Sequence, residues 1–312
     1  MAGLDYLQVA RVCNQKCVFC SNPENGRVIS WDEAAALVDS FREKGSLGVI
    51  FTGGEPTLFP EMGRLIAYAR AKGLPPRLIT NGQRTGKFEY LESLAKAGLE
   101  HLHVSVHSHR DEIQGELTGN PESLKNIAKT IENAGKLGIR VDVNTVINKV
   151  NAGHLGAIVE WLTGRFPFLR HFIWNNLDPM MNRASLNPAI VPKLRDLEVE
   201  LCAAMRLLQN SGRTFRVERV PLCFMAEFPH RSTETRKIVK DEHRRIYFLD
   251  DKGLKDQSRV SWTYPKPESC GSCSLTGLCA GLYQMGIYYH PDELCPQFAP
   301  PGQVAAKVLE ES

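Results

Sequence analysis

The chain has 312 residues, 43% hydrophobic and 23% charged, with a formal net charge of +3, an ordinary globular composition long enough for one or two domains without a disulfide framework. Near-neutral charge excludes a strongly basic nucleic-acid footprint. No run of eighteen apolar residues marks a membrane span, and residues 1–12 lack the charged head and apolar centre of a signal peptide. The expectation is a cytoplasmic protein, without membrane or nucleic-acid partners, whose nine cysteines point to metal or redox chemistry.

In chain order, residues 4–12 are a short apolar run that reads as a strand running into a cysteine loop. Ser30-Trp31-Asp32-Glu33 reads as a capping box, opening a helix with Ala34, Leu37, Val38 and Phe41 at helical spacing and Gly45 as its stop. Residues 47–51 form the next strand, followed by Thr52-Gly53-Gly54-Glu55-Pro56. Helix 61–71, strand 76–79 with Thr80-Asn81-Gly82, helix 90–97 and strand 101–106 with His107-Ser108-His109 come next. Asn120 caps a helix with Pro121 in its first position, Gly138 ends it, and residues 139–147 are a fifth strand. Helix 155–162, a sixth strand at 171–174 and a long amphipathic helix at 192–208 complete the series. Six strands alternating with helices predict parallel βα units with right-handed crossovers. Beyond about residue 212 the texture changes: 215–217, 245–249 and 260–262 read as short strands, and a cysteine-rich end follows. Arg244, Arg245, Asp250 and Asp251 read as solvated hairpin charges, and Cys202 as a buried core residue.

The other eight cysteines form two groups. Cys13, Cys17 and Cys20 make C-x3-C-x2-C in a single loop. Three ligands do not close a tetrahedral structural site; they suit an iron–sulfur cluster with one iron left open, a zinc loop completed from a distance being the alternative. Cys270, Cys273 and Cys279 make C-x2-C-x5-C, with Cys223 upstream and Cys295 downstream as candidate fourth ligands. Zinc, completed by Cys223, Cys295, His230 or His290, and a second iron–sulfur cluster are both open on spacing alone.

Cys13-Asn14-Gln15-Lys16-Cys17-Val18-Phe19-Cys20 resembles the cluster loop of the radical S-adenosylmethionine (radical SAM) superfamily, including the aromatic Phe19 before the third cysteine. Gly53-Gly54-Glu55-Pro56 resembles that superfamily's GGEP motif. Thr80-Asn81-Gly82 and Ser105-Val106-His107-Ser108 sit where its other cofactor contacts lie, and the resemblance spans residues 5–180. It implies a partial (β/α)6 barrel over residues 1–212 and a small cluster-binding extension over 213–312. It further implies a 4Fe–4S cluster held by Cys13, Cys17 and Cys20 as the catalytic centre, and S-adenosylmethionine (SAM) bound at the open iron. Phe19, Gly53, Gly54, Glu55, Pro56, Thr80, Asn81, Ser105, His107 and Asn144 are the candidate cofactor-binding residues. The glycine backbone would approach the SAM amino group, Glu55 would bond within the loop or near SAM, and residues 174–176 would line the adenine or substrate side. For His107 a structural hydrogen-bonding role is the alternative; for Trp174, a core one.

The C-terminal spacing resembles the SPASM and twitch extensions of the same superfamily. Tyr283 stands where SPASM proteins carry a fourth cysteine, which points to one auxiliary 4Fe–4S cluster on Cys270, Cys273, Cys279 and Cys223, with Cys295 as the alternative to Cys223. The activity so implied is one-electron cleavage of SAM to a 5′-deoxyadenosyl radical that abstracts hydrogen from a substrate. The electron comes from an external donor such as flavodoxin or ferredoxin. A ribosomally made peptide or small protein is the leading substrate. Because the sequence starts close to its first strand, with no preceding peptide-recognition domain, a small molecule such as a carbohydrate, amino-acid or cofactor precursor stays open. A zinc-binding structural or nucleic-acid module is the distant alternative.

Overall fold

Apolar runs alternating with amphipathic helices build a single nine-stranded sheet in the computed structural model, which describes residues 3–311 apart from 23, 252, 259, 260 and 262. Its first half comprises β1 (Leu4–Ala10), α1 (Trp31–Glu43), β2 (Gly48–Gly53), α2 (Met62–Ala71), β3 (Pro76–Thr80), α3 (Phe88–Lys96), β4 (His101–Ser105), α4 (Asp111–Thr118) and α5 (Ser123–Lys136). There follow β5 (Arg140–Ile147), α6 (Leu155–Arg165), β6 (His171–Asn176), α7 (Asn182–Leu186), α8 (Leu194–Asn210), β7 (Thr214–Glu218), α9 (Thr233–Lys240), β8 (Arg244–Phe248), β9 (Gly253–Gln257) and α10 (Pro301–Glu310).

The spatial order is β7-β6-β5-β4-β3-β2-β1-β8-β9. Every pairing is parallel except the β8–β9 hairpin. The sheet is not closed: β7 and β9 are its two edges. The parallel strands are those the βα alternation predicts, and the open sheet is the partial barrel that the resemblance implies. Residues after 212 are not set apart from it, because β7 extends one side of the sheet and β8 pairs with β1 on the other.

Strand alternation divides the side chains. Leu7, Val9, Phe51, Leu78, Val104 and Val143 join the main core with Phe41, Leu65, Leu91 and Ile127 of the helices. The alternate positions look into the concave side of the sheet. At the amino-terminal strand ends these are polar, and Arg77, His103, Asp142, His171 and Arg216 line one cavity there.

Several local expectations are revised. Ser30 does cap α1, accepting from Glu33 N (3.2 Å), but the reciprocal half of the box is not made: the Glu33 carboxylate instead accepts from Tyr247 OH. Asn120 Oδ1 accepts from Glu122 N (3.1 Å), so Asn120 and Pro121 form a turn and α5 begins two residues later. The hairpin charges are not all solvated. Arg245 donates to the buried Asp5 carboxylate through N and Nε (both 2.9 Å), and Arg11 and Arg27 flank Asp250; charge pairs therefore lock β8–β9 to β1. Asp251 pairs locally with Lys255. Helices α4, α7, α9 and α10 are not among the elements expected from sequence, although α10 buries Val304 and Val308 at helical spacing. The strand expected at 215–217 is β7, that at 245–249 is β8, and residues 260 and 262 of the third lie outside the described residues. Cys202 is half-buried against the main core, as expected of a packing residue.

Candidate active site and second cysteine site

The three-cysteine loop is held from below and from both sides. Where β1 meets β2 the backbones approach closely: Gly54 N donates to Ala10 O (2.6 Å) and Glu55 N to Val12 O (2.9 Å). A Cβ at Gly53 would lie 2.2 Å from Ala10 O, and one at Gly54 2.3 Å from Val12 O. Only glycine fits, and here the closeness is to the base of the cysteine loop itself. Further along, Lys16 N and Val18 N donate to Thr118 O and Leu117 O at the end of α4 (2.9 and 3.0 Å). Phe19 packs with Leu117, Leu177, Ala184 and Ile190 in a small separate core. His107 meets Phe19 edge to face at 4.6 Å.

Cys13, Cys17 and Cys20 are all half-buried. Gln15 N and Asn81 Nδ2 point at Cys13 Sγ (3.4 and 3.7 Å). Burial, and then the charges of Cys20 and Cys13, push the Cys17 thiol far above its ordinary range. Cys13 is raised by burial and by its neighbours, Cys20 among them. The three thiols come from one loop of eight residues, and buried thiolates of like charge are unfavourable without a cation, which coordination to a metal centre would supply. The donor set thus fits an iron–sulfur cluster with three protein ligands.

The strand ends carry the other candidates. Glu55 is fully buried and its carboxylate is saturated from within the protein. Oε1 accepts from Thr57 N, Thr57 Oγ1 and Thr80 Oγ1 (3.1, 2.7 and 2.8 Å), and Oε2 accepts from Asn81 N (2.8 Å). Burial raises its pKa against the pull of these donors. Glu55 thereby ties the end of β2 to that of β3, and Pro56 begins the 3₁₀ turn (Pro56–Leu58) between them. Asn81 continues the chain of contacts to Asn14 Oδ1 (2.7 Å) and Cys13. Ser105 and Asn144 are register partners, half-exposed at the carboxyl ends of β4 and β5. Asn175 on β6 donates to Asn144 Oδ1, extending the row. His107 is buried and accepts from Val146 N through Nδ1 (3.3 Å); burial lowers its pKa to about 3, so it is neutral. Trp174 is buried against Phe215 in the core, on the other face from the Asn144–Asn175 row.

Two contributors escaped the sequence reading. Gln15 is buried, donates to Ser123 Oγ (3.0 Å) and accepts from the Cys17 thiol (3.8 Å); its place inside the cysteine loop was the available signal. Arg183 donates through Nε to Cys17 O (2.9 Å) and pairs with Glu24 (2.5 Å); lying 163 residues past Cys20, it offered none.

The second group converges as well. Cys223, Cys270, Cys273, Cys279 and Cys295 line one small cavity, together with Lys266. Gly281 N donates to Cys279 Sγ (3.5 Å), and Gln297 donates through N to Cys273 Sγ (3.3 Å) and through Nε2 to Cys295 Sγ (3.5 Å). Burial, relieved by a hydrogen bond from the Cys295 backbone, pushes the Cys223 thiol up to about 12. Cys223 is half-buried and Cys295 exposed. His230 is instead near Glu311 (3.6 Å), and neither it nor His290 lines the cavity.

The family model of the radical SAM superfamily matches residues 7–162, half of the chain and the half that carries the three-cysteine loop. The chain belongs to the radical SAM superfamily. Among curated relatives, Fe-coproporphyrin III synthase of Methanosarcina barkeri is 32% identical over 158 residues, covering 49% of this chain and 39% of that protein. PqqA peptide cyclase of Xanthomonas campestris pv. campestris is 30% identical over 196 residues, covering 59% and 50%. This radical SAM chain therefore spans half or less of the length of these relatives. Among solved structures, SuiB of Streptococcus suis bound to S-adenosylmethionine superposes with a TM-score of 0.64 at 17% identity, over 90% of this chain and 72% of that one. SuiB bound to its precursor peptide SuiA gives 0.64 at 16%, over 90% and 71%. These superpositions show that the chain shares its fold with SuiB over most of its length. No helix among the described residues is long and apolar enough to cross a membrane.

Proposed function

We propose that this chain is a radical SAM enzyme acting on a ribosomally made peptide, with Cys13, Cys17 and Cys20 holding a catalytic 4Fe–4S cluster. Held there and reduced by an external donor such as flavodoxin or ferredoxin, such a cluster would supply the one electron that splits SAM into methionine and a 5′-deoxyadenosyl radical able to abstract hydrogen from substrate. The chain's own residues position and shield. Gln15 and Asn81 orient Cys13, and Arg183 holds the Cys17 carbonyl. Glu55 joins the GGEP turn to Thr80 and Asn81, so one buried carboxylate fixes the strand ends beneath the loop. Ser105, Asn144 and Asn175 offer a polar row at the mouth of the sheet for SAM or substrate. His107, neutral and behind Phe19, supports the loop.

The convergence of three thiols from one loop at the carboxyl ends of parallel strands carries this reading. The peptide class rests on the resemblance to PqqA peptide cyclase over more than half the chain. The second reading, a small-molecule substrate, rests on the similar identity to Fe-coproporphyrin III synthase over a shorter stretch. In the second site we place an auxiliary 4Fe–4S cluster on Cys270, Cys273, Cys279 and Cys223, with Cys295 at its edge. Zinc content against iron content separates this from a zinc site. The test is anaerobic reconstitution followed by reduction with SAM. The wild type should release 5′-deoxyadenosine, and Cys13→Ala, Cys17→Ala and Cys20→Ala should each abolish the release. Undiminished release by all three would refute the assignment, and so would a colourless protein holding only zinc. Dependence of the release rate on added precursor peptides, against tetrapyrrole precursors, decides the substrate class.

A further inference from the structure

The amino-terminal end of the sheet carries a second cluster of ligating groups, which the radical chemistry does not use. His101 and His103 are two residues apart on β4, so both point to one side of the sheet. Asp142 on β5 is the register partner of His103, and His171 on β6 is that of Asp142. The parallel pairing therefore sets three imidazoles around one carboxylate. His101, His103 and Asp142 are all buried, and one ligand atom from each lies within 4.8 Å of the others.

These groups satisfy one another only in part. His101 Nε2 pairs with Asp142 Oδ2 at 2.8 Å, with the N–H poorly aligned. His103 Nδ1 is 3.6 Å from the same oxygen, too far to bond, and His103 Nε2 is without a partner among the described residues. The two rings stack at 4.6 Å, bringing their nitrogens to one side of Oδ2. Arg140 Nε lies 3.3 Å from the other oxygen, Oδ1, and so orients the carboxylate with Oδ2 toward the imidazoles. Leaving the buried His103 Nε2 unpaired is unfavourable, and a shared ligand would relieve it.

We propose that His101, His103 and Asp142 form a binding site for a divalent first-row transition metal at the amino-terminal end of the sheet, with His171 or water completing the shell. Two imidazoles and one carboxylate are ligands that zinc and iron(II) accept. A tetrahedral ion with bonds of about 2.0–2.1 Å needs donors roughly 3.3 Å apart, within the range of the separations present. Thr214 Oγ1 lies 2.7 Å from His171 Nδ1, leaving Nε2 of that ring as the nitrogen available to a fourth bond. The cavity bordered by His103, Asp142 and His171 gives an ion its path in. Arg77 is nearby and cationic, which opposes the ion's charge; Arg77→Met should tighten binding. A metal here would fasten β4, β5 and β6 together at the end of the sheet opposite the cysteine loop.

The test uses holoprotein with its iron–sulfur clusters already reconstituted. One equivalent of zinc is added, unbound metal is removed, and the retained zinc is counted and probed by X-ray absorption at the zinc edge. One zinc per chain with a nitrogen and oxygen shell near ~2.0–2.1 Å is expected. His103→Asn and Asp142→Asn should each weaken retention at least ten-fold in competition with a chromophoric chelator, with iron content unchanged. No retained zinc, a sulfur shell near ~2.3 Å, or full retention by both variants would overturn the site. Should either variant lose its iron through misfolding, the zinc shell of the wild type decides alone.

Discussion

Replacing Gly54 by alanine tests whether the glycine pair serves the base of the cysteine loop or only the approach of a ligand. The new Cβ would lie 2.3 Å from Val12 O and 2.9 Å from Val12 C, against 3.4 Å or more for ordinary contact. Both neighbours are backbone, so about 1 Å must be found by moving the end of β1 or of β2. Overpacking of this kind costs roughly 1–3 kcal/mol. The hydrogen bonds Gly54 N–Ala10 O and Glu55 N–Val12 O, on the same crossing, contribute about 1 kcal/mol each. Gly54→Ala should therefore destabilise the fold by about 3–5 kcal/mol. With a urea slope of about 3 kcal/mol per M, the unfolding midpoint falls by more than ~1 M. Iron at the first site should drop while iron at the second is kept. Gly63→Ala in α2, where nothing comes nearer than 3.9 Å, is the control and should be stabilising by about 0.5–1 kcal/mol. A Gly54→Ala protein with an unchanged midpoint and a full first cluster, impaired only in SAM affinity, would refute the reasoning.

His107 is held neutral by burial, its pKa lowered from 6.5 to about 3, so its stabilising contribution is complete above pH 6.5 and is lost as the pH falls through 6.5 toward 3, at about 1.4 kcal/mol per unit. Urea midpoints of His107→Gln, which retains an acceptor, should decline less steeply than the wild type's between about pH 7.5 and 5.5; parallel declines count against it. Arg245→Met leaves the Asp5 carboxylate buried without its guanidinium, which should cost about 3–5 kcal/mol and speed hydrogen exchange across 244–257; unchanged exchange there would show the hairpin held by other means. Cys223→Ala should lose up to one cluster's iron and Cys295→Ala none, by iron counting and Mössbauer spectra. The reverse result would move the fourth ligand to Cys295.

What could be read from sequence follows the range of the interaction. The six βα units were legible because each strand is a short apolar run bounded by turns, and the three-cysteine loop because its ligands lie within eight residues. Helix α4 was not, since only Ile113 and Leu117 are large apolar residues in it and its Gln114 works by accepting from His107 N and Ser108 N. The partnerships of Asp5 with Arg245 and of Arg11 with Asp250 join residues some 240 positions apart, which no local pattern encodes. The five cysteines were grouped from sequence because three of them lie within ten residues, while the return of Cys223 and Cys295 to the same cavity is a product of tertiary folding. So too was the reason for Gly54, whose neighbour is the backbone of Val12.

The pairing of β8 with β1, Tyr6 opposite Ile246, has a temporal consequence. On a ribosome adding roughly 5–20 residues per second, the strand leading into the cysteine loop waits on the order of 10–50 s for the segment that covers its outer edge. During that interval the first half of β1 presents an unpaired edge, of the kind that invites pairing with other chains, whereas its end beside the cysteine loop is already covered by residues 27–29, with Ile29 N donating to Val9 O (2.9 Å) and Arg11 N to Arg27 O (2.7 Å). The loop is therefore flanked on both sides long before the hairpin arrives, and the hazard of the nascent chain lies at the start of β1, away from the thiols.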